Sequence, residues 1–351
     1  MIQRSLVCSY EMGVGERLSV ERHRFAPDGV DVEEALAAGM PRLCLVTGIH
    51  GDELEGQYLC YEVARRLREH PEHLAGVVDI YPALNPLGVG AISRGIPQFD
   101  LDMNRIFPGN NAASVYEAMA ADVVADIKGA TLAMDVHASN IYLREIPQVR
   151  VNQIVAERLM PWALASNVDF VWVHSDAVIL RGTLAYSLNA LDTPTLVVEM
   201  GVGMRITKEY GDQLADGFLS LMHKADAWTG PVPPPRRPIV STDGEVSFLN
   251  AEAAGLFVPV AHHDRRVKAG QLVGSILDAA DGTTLQELRS PVDGLLFTLR
   301  EYPIVYPGSL IARVLGLGGP RVVGPMGQVA QMAAQRVAER RAARHDDDGE
   351  A

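Results

Sequence analysis

The 351-residue chain is 48% hydrophobic and 21% charged, and its 31 Lys and Arg against 44 Asp and Glu leave a net charge of −13. Apolar content at the globular average excludes a mainly disordered chain, and the acidic balance argues against nucleic acid as a partner. The length accommodates one large domain or two smaller ones, each with its own core.

In chain order, the apolar run 43–47 predicts a buried strand, after which Leu54, Tyr58, Leu59, Val63 and Leu67 recur at helical spacing until Pro71. A second strand is predicted over 77–81, ended by Pro82. Ser114 with Glu117 three residues on is a capping-box signature for a helix running through Val124 and Ile127 to Gly129. Strands then fit 132–136, 170–173 and 195–198, with helices near 153–165 and 213–228. This alternation predicts an α/β domain over 1–230, built on a mixed, mostly parallel sheet flanked by helices. The proline-rich run Gly230-Pro-Val-Pro-Pro-Pro-Arg-Arg-Pro238 cannot hold a helix and reads as an extended linker over 231–238. Over 239–318, Gly and Pro punctuate short strands, which predicts a small all-β barrel or sandwich. The remainder, 319–351, reads as an exposed helix over 328–344 followed by a disordered end containing Asp346, Asp347 and Asp348, a solvated charge run without a function of its own.

Cys8, Cys44 and Cys60 lack any ligand spacing and read as reduced core thiols. The first residues lack a signal peptide, and no run approaches eighteen apolar residues. A soluble, cytoplasmic protein without a membrane partner is expected, acting on small molecules. The sequence leaves oligomeric state open, a homo-oligomer included.

The most informative stretch is Thr47-Gly-Ile-His50-Gly-Asp-Glu53, where a buried strand gives way to a helix. His50 and Glu53, three apart, can point the same way on a first helical turn or on the tight turn leading into it. An imidazole and a carboxylate together begin a zinc site, and catalytic zinc takes three protein ligands with a fourth position for water. The third candidate is His137, at the end of a predicted strand, with Asp135 two residues earlier on the same face as a group that orients a ligand. Taken singly, a histidine at a strand end such as His137 is more often an ordinary satisfied polar residue than a metal ligand. Between these clusters lie Arg94, Asn104 and Arg105 in a Gly/Pro-rich stretch. They suit a clamp for a substrate carboxylate with an electrophile for a polarised carbonyl, or else they pair with some of the 44 acids. Glu199 ends the apolar run 195–198. It either takes a proton from activated water and returns it to a leaving amine, or pairs with a neighbouring arginine.

These motifs in this order resemble the succinylglutamate desuccinylase/aspartoacylase family, the deacylase branch of the zinc carboxypeptidase superfamily. Gly48-Ile-His50-Gly-Asp-Glu53 resembles its G-x-H-G-x-E, Asp102-Met-Asn104-Arg105-Ile-Phe-Pro108-Gly109 its D-L-N-R-x-F-P-G, Asp135-Val-His137 its D-x-H, and Val198-Glu199-Met-Gly201 its glutamate-glycine strand end. Ile49 and Met103 depart from the commoner residues. The resemblance implies a zinc-carboxypeptidase-like α/β fold and one zinc ion on His50, Glu53 and His137. It further implies Glu199 as general base and acid, Arg94 as carbonyl polariser, and Asn104 with Arg105 gripping a substrate carboxylate. Tyr302, Tyr306 and Arg181 are the candidates for further substrate contacts. The implied activity is zinc-dependent hydrolysis of a small N-acyl amino acid. A carboxypeptidase acting on short peptides and a non-catalytic binding module are the alternatives. Val267-Lys-Ala-Gly270-Gln-Leu-Val-Gly274 and Ser290-Pro-Val-Asp-Gly294 are similar to half-motifs of a biotinyl/lipoyl barrel. Gln286, Glu287 and Arg289 precede the second half without a lysine, so a structural relative that roofs the site is expected rather than an acyl carrier.

Overall fold

A computed structural model describes residues 2–174, 181–242 and 245–316. The tail read over 319–351 lies outside the described residues. The first strands are β1 (Ile2–Glu11), β2 (Arg17–Phe25), β3 (Arg42–Val46), β4 (Val77–Tyr81), β5 (Leu132–His137), β6 (Leu143–Asn152), β7 (Phe170–His174), β8 (Thr195–Gly201) and β9 (Ile239–Thr242). The helices are α1 (Val32–Ala37), α2 (Glu55–Glu69), α3 (Pro86–Ala91), α4 (Val115–Ile127), α5 (Ala156–Ala163), α6 (Leu184–Ala190) and α7 (Lys208–Lys224).

The heart of the sheet is the parallel set β4-β3-β5-β8. β3 shows why it is buried on both faces. Leu43 and Leu45 join the core under α2 and α7, whereas Cys44 and Val46 join the core under α4, so a continuous apolar run serves two layers. The capping box of α4 forms as predicted: the Glu117 N–H donates to Ser114 Oγ at 3.3 Å and the Ser114 N–H to Glu117 Oε2 at 3.2 Å. The β1–β2 hairpin, for which the sequence reading offered no strand, adds to β4 at one edge. The helix expected near 153–165 is confined to α5 behind a short 3₁₀ turn, and the one expected near 213–228 starts earlier, at Lys208.

β6 departs from the parallel set. It runs antiparallel to β8 and forks: Gln148 to Asn152 pair with β7, while Leu143 to Glu145 pair with a strand from the C-terminal part of the chain. That part contains β10 (Val246–Asn250), β11 (Gly255–Pro259), β12 (Arg265–Val267), β13 (Leu272–Leu277), β14 (Thr284–Arg289), β15 (Gly294–Arg300), β16 (Ile304–Val305) and β17 (Leu310–Gly316). β15, β17 and β10 extend the large sheet outward from β6, and β14-β13-β11-β16 form a separate antiparallel sheet. The proline run holds neither helix nor strand, and β9 beyond it pairs in parallel with β7. The hairpin tip at 278–283, between β13 and β14, carries no lysine.

One contact between the C-terminal strands and α7 is expected to depend on pH. His263 Nε2 faces the Phe297 carbonyl at 3.0 Å and its Nδ1 faces Tyr210 Oη at 3.4 Å, a pattern that suits the neutral ring. Burial, with Arg144 adding to it, pushes this imidazole down to about 4 from an ordinary 6.5. The unfolded chain therefore binds the extra proton first, so this contribution to stability is full above pH 6.5 and is lost as the pH falls towards 4. Thermal midpoints of the wild type are expected to drop between pH 7 and pH 5, and His263→Gln is expected to flatten that slope. Equal slopes would show that His263 contributes nothing to it.

Candidate metal centre and active-site cavity

His50 and Glu53 sit on the turn between β3 and α2, not within the helix, and a close approach shapes that turn. A Cβ on Gly51 would lie 1.9 Å from the backbone of Gly88, so only glycine lets α3 press against it. His137 ends β5 and is the register partner of Glu199 on β8. Gly201, at φ +63°, turns the chain away immediately afterwards, and a Cβ there would strike Glu55. All four candidate side chains are thereby placed at or just beyond the carboxyl ends of parallel strands, where open α/β sheets bind ligands.

Glu53 lies between the two imidazoles. Its Oε1 is 2.8 Å from His50 Nδ1 and its Oε2 is 3.0 Å from His137 Nδ1, with the ring centroids 5.1 Å apart. The remaining ring nitrogens also face carboxylates: His50 Nε2 is 3.1 Å from Asp102 Oδ1, and His137 Nε2 is 3.2 Å from Asp135 Oδ2. A neutral imidazole carries one N–H, so with carboxylate oxygens at both nitrogens each ring needs a second proton or a shared cation. The same electrostatics act on the titration of these groups. Burial works against the imidazolium of His137, but Asp135 and Glu53 outweigh it and raise the ring well above its ordinary value. Burial also works against the Glu53 anion, yet the two imidazoles hold that carboxyl well below its usual range. Asp102 is lowered to about 2, because His50 overcomes the burial of its carboxylate.

Donor atoms of His50, Glu53 and His137 lie within 4.8 Å of one another and all three residues are buried. Two imidazole nitrogens and one carboxylate suit a divalent transition metal, and the Nε2 contacts to Asp102 and Asp135 are the outer carboxylates that commonly orient metal-bound histidines. The donor set therefore fits zinc.

The other candidates line the same cavity of about 960 Å³. Arg94 donates from Nη1 to Glu53 Oε1 at 2.9 Å and to the Ser139 carbonyl at 3.3 Å. Asn104 is buried, its Oδ1 accepting the Leu184 N–H at 3.0 Å and its Nδ2 lying 3.5 Å from His137 Nε2. Arg105 is half exposed and spends Nη1 on the Asn104 carbonyl. Glu199 accepts the Ser139 N–H on Oε2 at 2.6 Å and meets Arg150 Nη1 through Oε1 at 3.1 Å. Burial raises its carboxyl, with Arg150 opposing the rise. Tyr302 and Tyr306 are exposed, and neither they nor Arg181 are among the residues lining the cavity. Sequence reasoning assigned no role to Asp102, Arg150 or Arg313. Asp102 stood in plain view two residues before Asn104. Nothing in the local sequence marks Arg150 or Arg313, because Arg150 reaches Glu199 and Arg313 reaches Glu145 across strands.

The fold and the cluster define the class: a mixed α/β protein whose strand ends carry a His-Glu-His donor set of metal-binding geometry. The profile described as the succinylglutamate desuccinylase/aspartoacylase catalytic domain matches residues 39–225, more than half of the chain, and the chain belongs to that family. It is 27% identical over 289 residues to the N-alpha-acetyl-L-2,4-diaminobutyric acid deacetylase of Halomonas elongata, across 78% of this chain and 81% of that one. The product-bound ectoine utilization protein EutE (DoeB) from Ruegeria pomeroyi shares the fold with a TM-score of 0.73 at 20% identity, over 90% of this chain and 95% of that one. A succinylglutamate desuccinylase/aspartoacylase structure from Rhodobacter sphaeroides gives a TM-score of 0.74 at 21% identity, with the same coverage. No described helix is long and apolar enough to cross a membrane.

Proposed function

We propose that this protein is a zinc-dependent deacylase that hydrolyses the amide bond of a small N-acyl amino acid. The observation that carries the reading is the convergence of His50, Glu53 and His137 beside Glu199 in one cavity that also holds Arg94, Asn104 and Arg105. The Halomonas relative, a deacetylase of an N-acetylated diamino acid, supports the substrate class.

His50, Glu53 and His137 would hold the metal, which supplies a Lewis acid able to acidify water to a pKa of about 7. Glu199 takes the proton of the attacking water and returns it to the nitrogen of the scissile amide, which leaves as the amine. Its two oxygens are held by the Ser139 N–H and by Arg150, so the carboxylate plane is fixed before substrate arrives. Arg94 provides positive charge beside the reacting carbonyl, where loss of one such donor typically costs roughly 10² to 10³ in rate. Arg105, with its fork half exposed, and Asn104 hold the carboxylate of the amino-acid part.

The test is metal analysis of the purified chain followed by a panel of N-acyl amino acids and short peptides, with released amine quantified. Stoichiometric zinc and amine from the N-acyl amino acids are expected. Turnover of peptides alone would replace the reading with a carboxypeptidase, and neither metal nor turnover would leave a binding module. Asp102 supplies a finer check. Asp102→Asn removes the anion behind His50 and leaves the ligands in place, so zinc affinity should fall by roughly 10- to 100-fold. Competition with a chelator measures this, and unchanged affinity would exclude Asp102 from supporting the site.

A further inference from the structure

The cavity wall behind Glu199 contains a run of buried charge that the deacylase chemistry does not by itself require. Glu199 Oε1 meets Arg150 Nη1 at 3.1 Å, Arg150 Nη2 donates to Glu145 Oε2 at 2.7 Å, and Glu145 Oε1 accepts from Arg313 Nη1. Glu145 is fully buried, and Thr298 Oγ1 adds a contact to its Oε1 at 3.4 Å. The guanidiniums of Arg150 and Arg313 both lie over the Trp172 ring, 5.8 and 5.5 Å from its centroid.

The sheet builds this run in two ways. Glu145 and Arg150 are five residues apart, so on a regular strand they would face opposite sides. The register of β6 against β8 shifts between Glu145 and Gln148, where Ile146 and Pro147 oppose Met200 alone, and the extra residue brings both side chains to one face. Across the strands, Arg313 on β17 is the register partner of Thr298 on β15, which is the partner of Glu145 on β6. A cation from the C-terminal strands is thus delivered beside an anion of the α/β sheet.

We propose that Arg150 is the positioning residue for Glu199, and that Arg313 sets how firmly Arg150 can do this by sharing Glu145 with it. The inference rests on the reading that Glu199 moves the proton. Charge counting gives the reason. Glu145 and Glu199 are two anions, and Arg150 alone would be drawn to the more deeply buried Glu145, whose desolvation is the more costly to leave uncompensated. Arg313 makes the group neutral and frees one edge of the Arg150 fork for Glu199. Arg150 on Oε1 and the Ser139 N–H on Oε2 then hold the carboxylate from both sides, leaving each oxygen further lone-pair directions for a proton. The C-terminal strands would in this way take part in the chemistry without touching the reacting atoms.

The experiment compares the metal-loaded wild type with Arg150→Met, Arg150→Lys, Arg313→Met and the double methionine variant, measuring kcat and KM on an N-acyl amino acid, bound metal and the thermal midpoint. Misplacing a catalytic group by about 1 Å can cost 10²-fold, so Arg150→Met should lower kcat by about 10- to 100-fold with KM and metal content little changed. Arg150→Lys should recover part of that loss. Arg313→Met should lower kcat in the same direction by less, and should add little once Arg150 is already Met. An active wild type whose Arg150→Met keeps its kcat overturns the inference alone, as does a rise in KM with kcat retained, which would make Arg150 a substrate contact. Should Arg150→Met fail to fold or lose its metal, Arg313→Met decides: an unchanged kcat there overturns the inference, and a lowered kcat at constant KM and metal supports it. A wild type that hydrolyses no member of the panel overturns the functional reading and this inference with it.

Discussion

Glu199→Gln is expected to retain zinc and lose turnover by roughly 10² to 10⁴, the usual contribution of a positioned acid or base. The substitution preserves size, and the amide oxygen can still accept the Ser139 N–H that Oε2 accepts at 2.6 Å. The amide cannot accept and return a proton at neutral pH. Glu199 is the register partner of His137 but is not one of the three clustered donors, so the set of His50, Glu53 and His137 should stay intact. Burial raises the Glu199 carboxyl and Arg150 opposes the rise, which makes it a stronger base than a solvent-exposed glutamate. Elemental analysis and kcat on the same preparation check the prediction. Full activity with bound zinc would assign the proton transfer to another group. Loss of zinc would place Glu199 among the residues that hold the metal.

The parts of this architecture that local sequence controls were legible without coordinates. The apolar run of β3 is buried on both faces, the Ser114–Glu117 box caps α4, and the candidate residues His137 and Glu199 lie at the ends of β5 and β8 with His50 and Glu53 on the turn after β3, because each follows from spacing within one segment. His50 and Glu53 could be paired from their three-residue separation, and His137 joined them through the order of motifs. What the sequence concealed depends on cross-strand register. β6 alternates weakly and bulges, so neither its fork between β7 and β15 nor the common face of Glu145 and Arg150 could be read from period-two patterning. For the same reason β9, across the proline run, gave no sign of pairing with β7. The β1–β2 hairpin is largely exposed on β1, where the strand has no continuous apolar face to reveal it. Asp102 was passed over for a different reason. Its role requires knowing which nitrogen of His50 faces outward, and that is a property of the folded turn.

His137→Ala is expected to abolish high-affinity zinc binding, and activity with it. The imidazole is one of three protein donors, and two facing carboxylates depend on it: Glu53 Oε2 at 3.0 Å and Asp135 Oδ2 at 3.2 Å. Truncation leaves Asp135, at 1% exposure, as a buried carboxylate without its partner, so the variant should also be less stable than the wild type even before metal is added. Zinc titration separates the two effects. A ligand that binds only the folded state stabilises it by about 2.7 kcal/mol when present at 100 times its dissociation constant, so the melting temperature of the wild type should rise with added zinc. That rise should vanish in His137→Ala at the same zinc concentrations, whatever the starting stability of the variant. His137→Gln, which keeps a polar group near Asp135, should recover part of the metal-free stability and none of the zinc response. If zinc raised the melting temperature of both variants as much as that of the wild type, the metal would sit elsewhere. The pairing of His50 and Glu53 would then be a buried ion pair with a structural task alone.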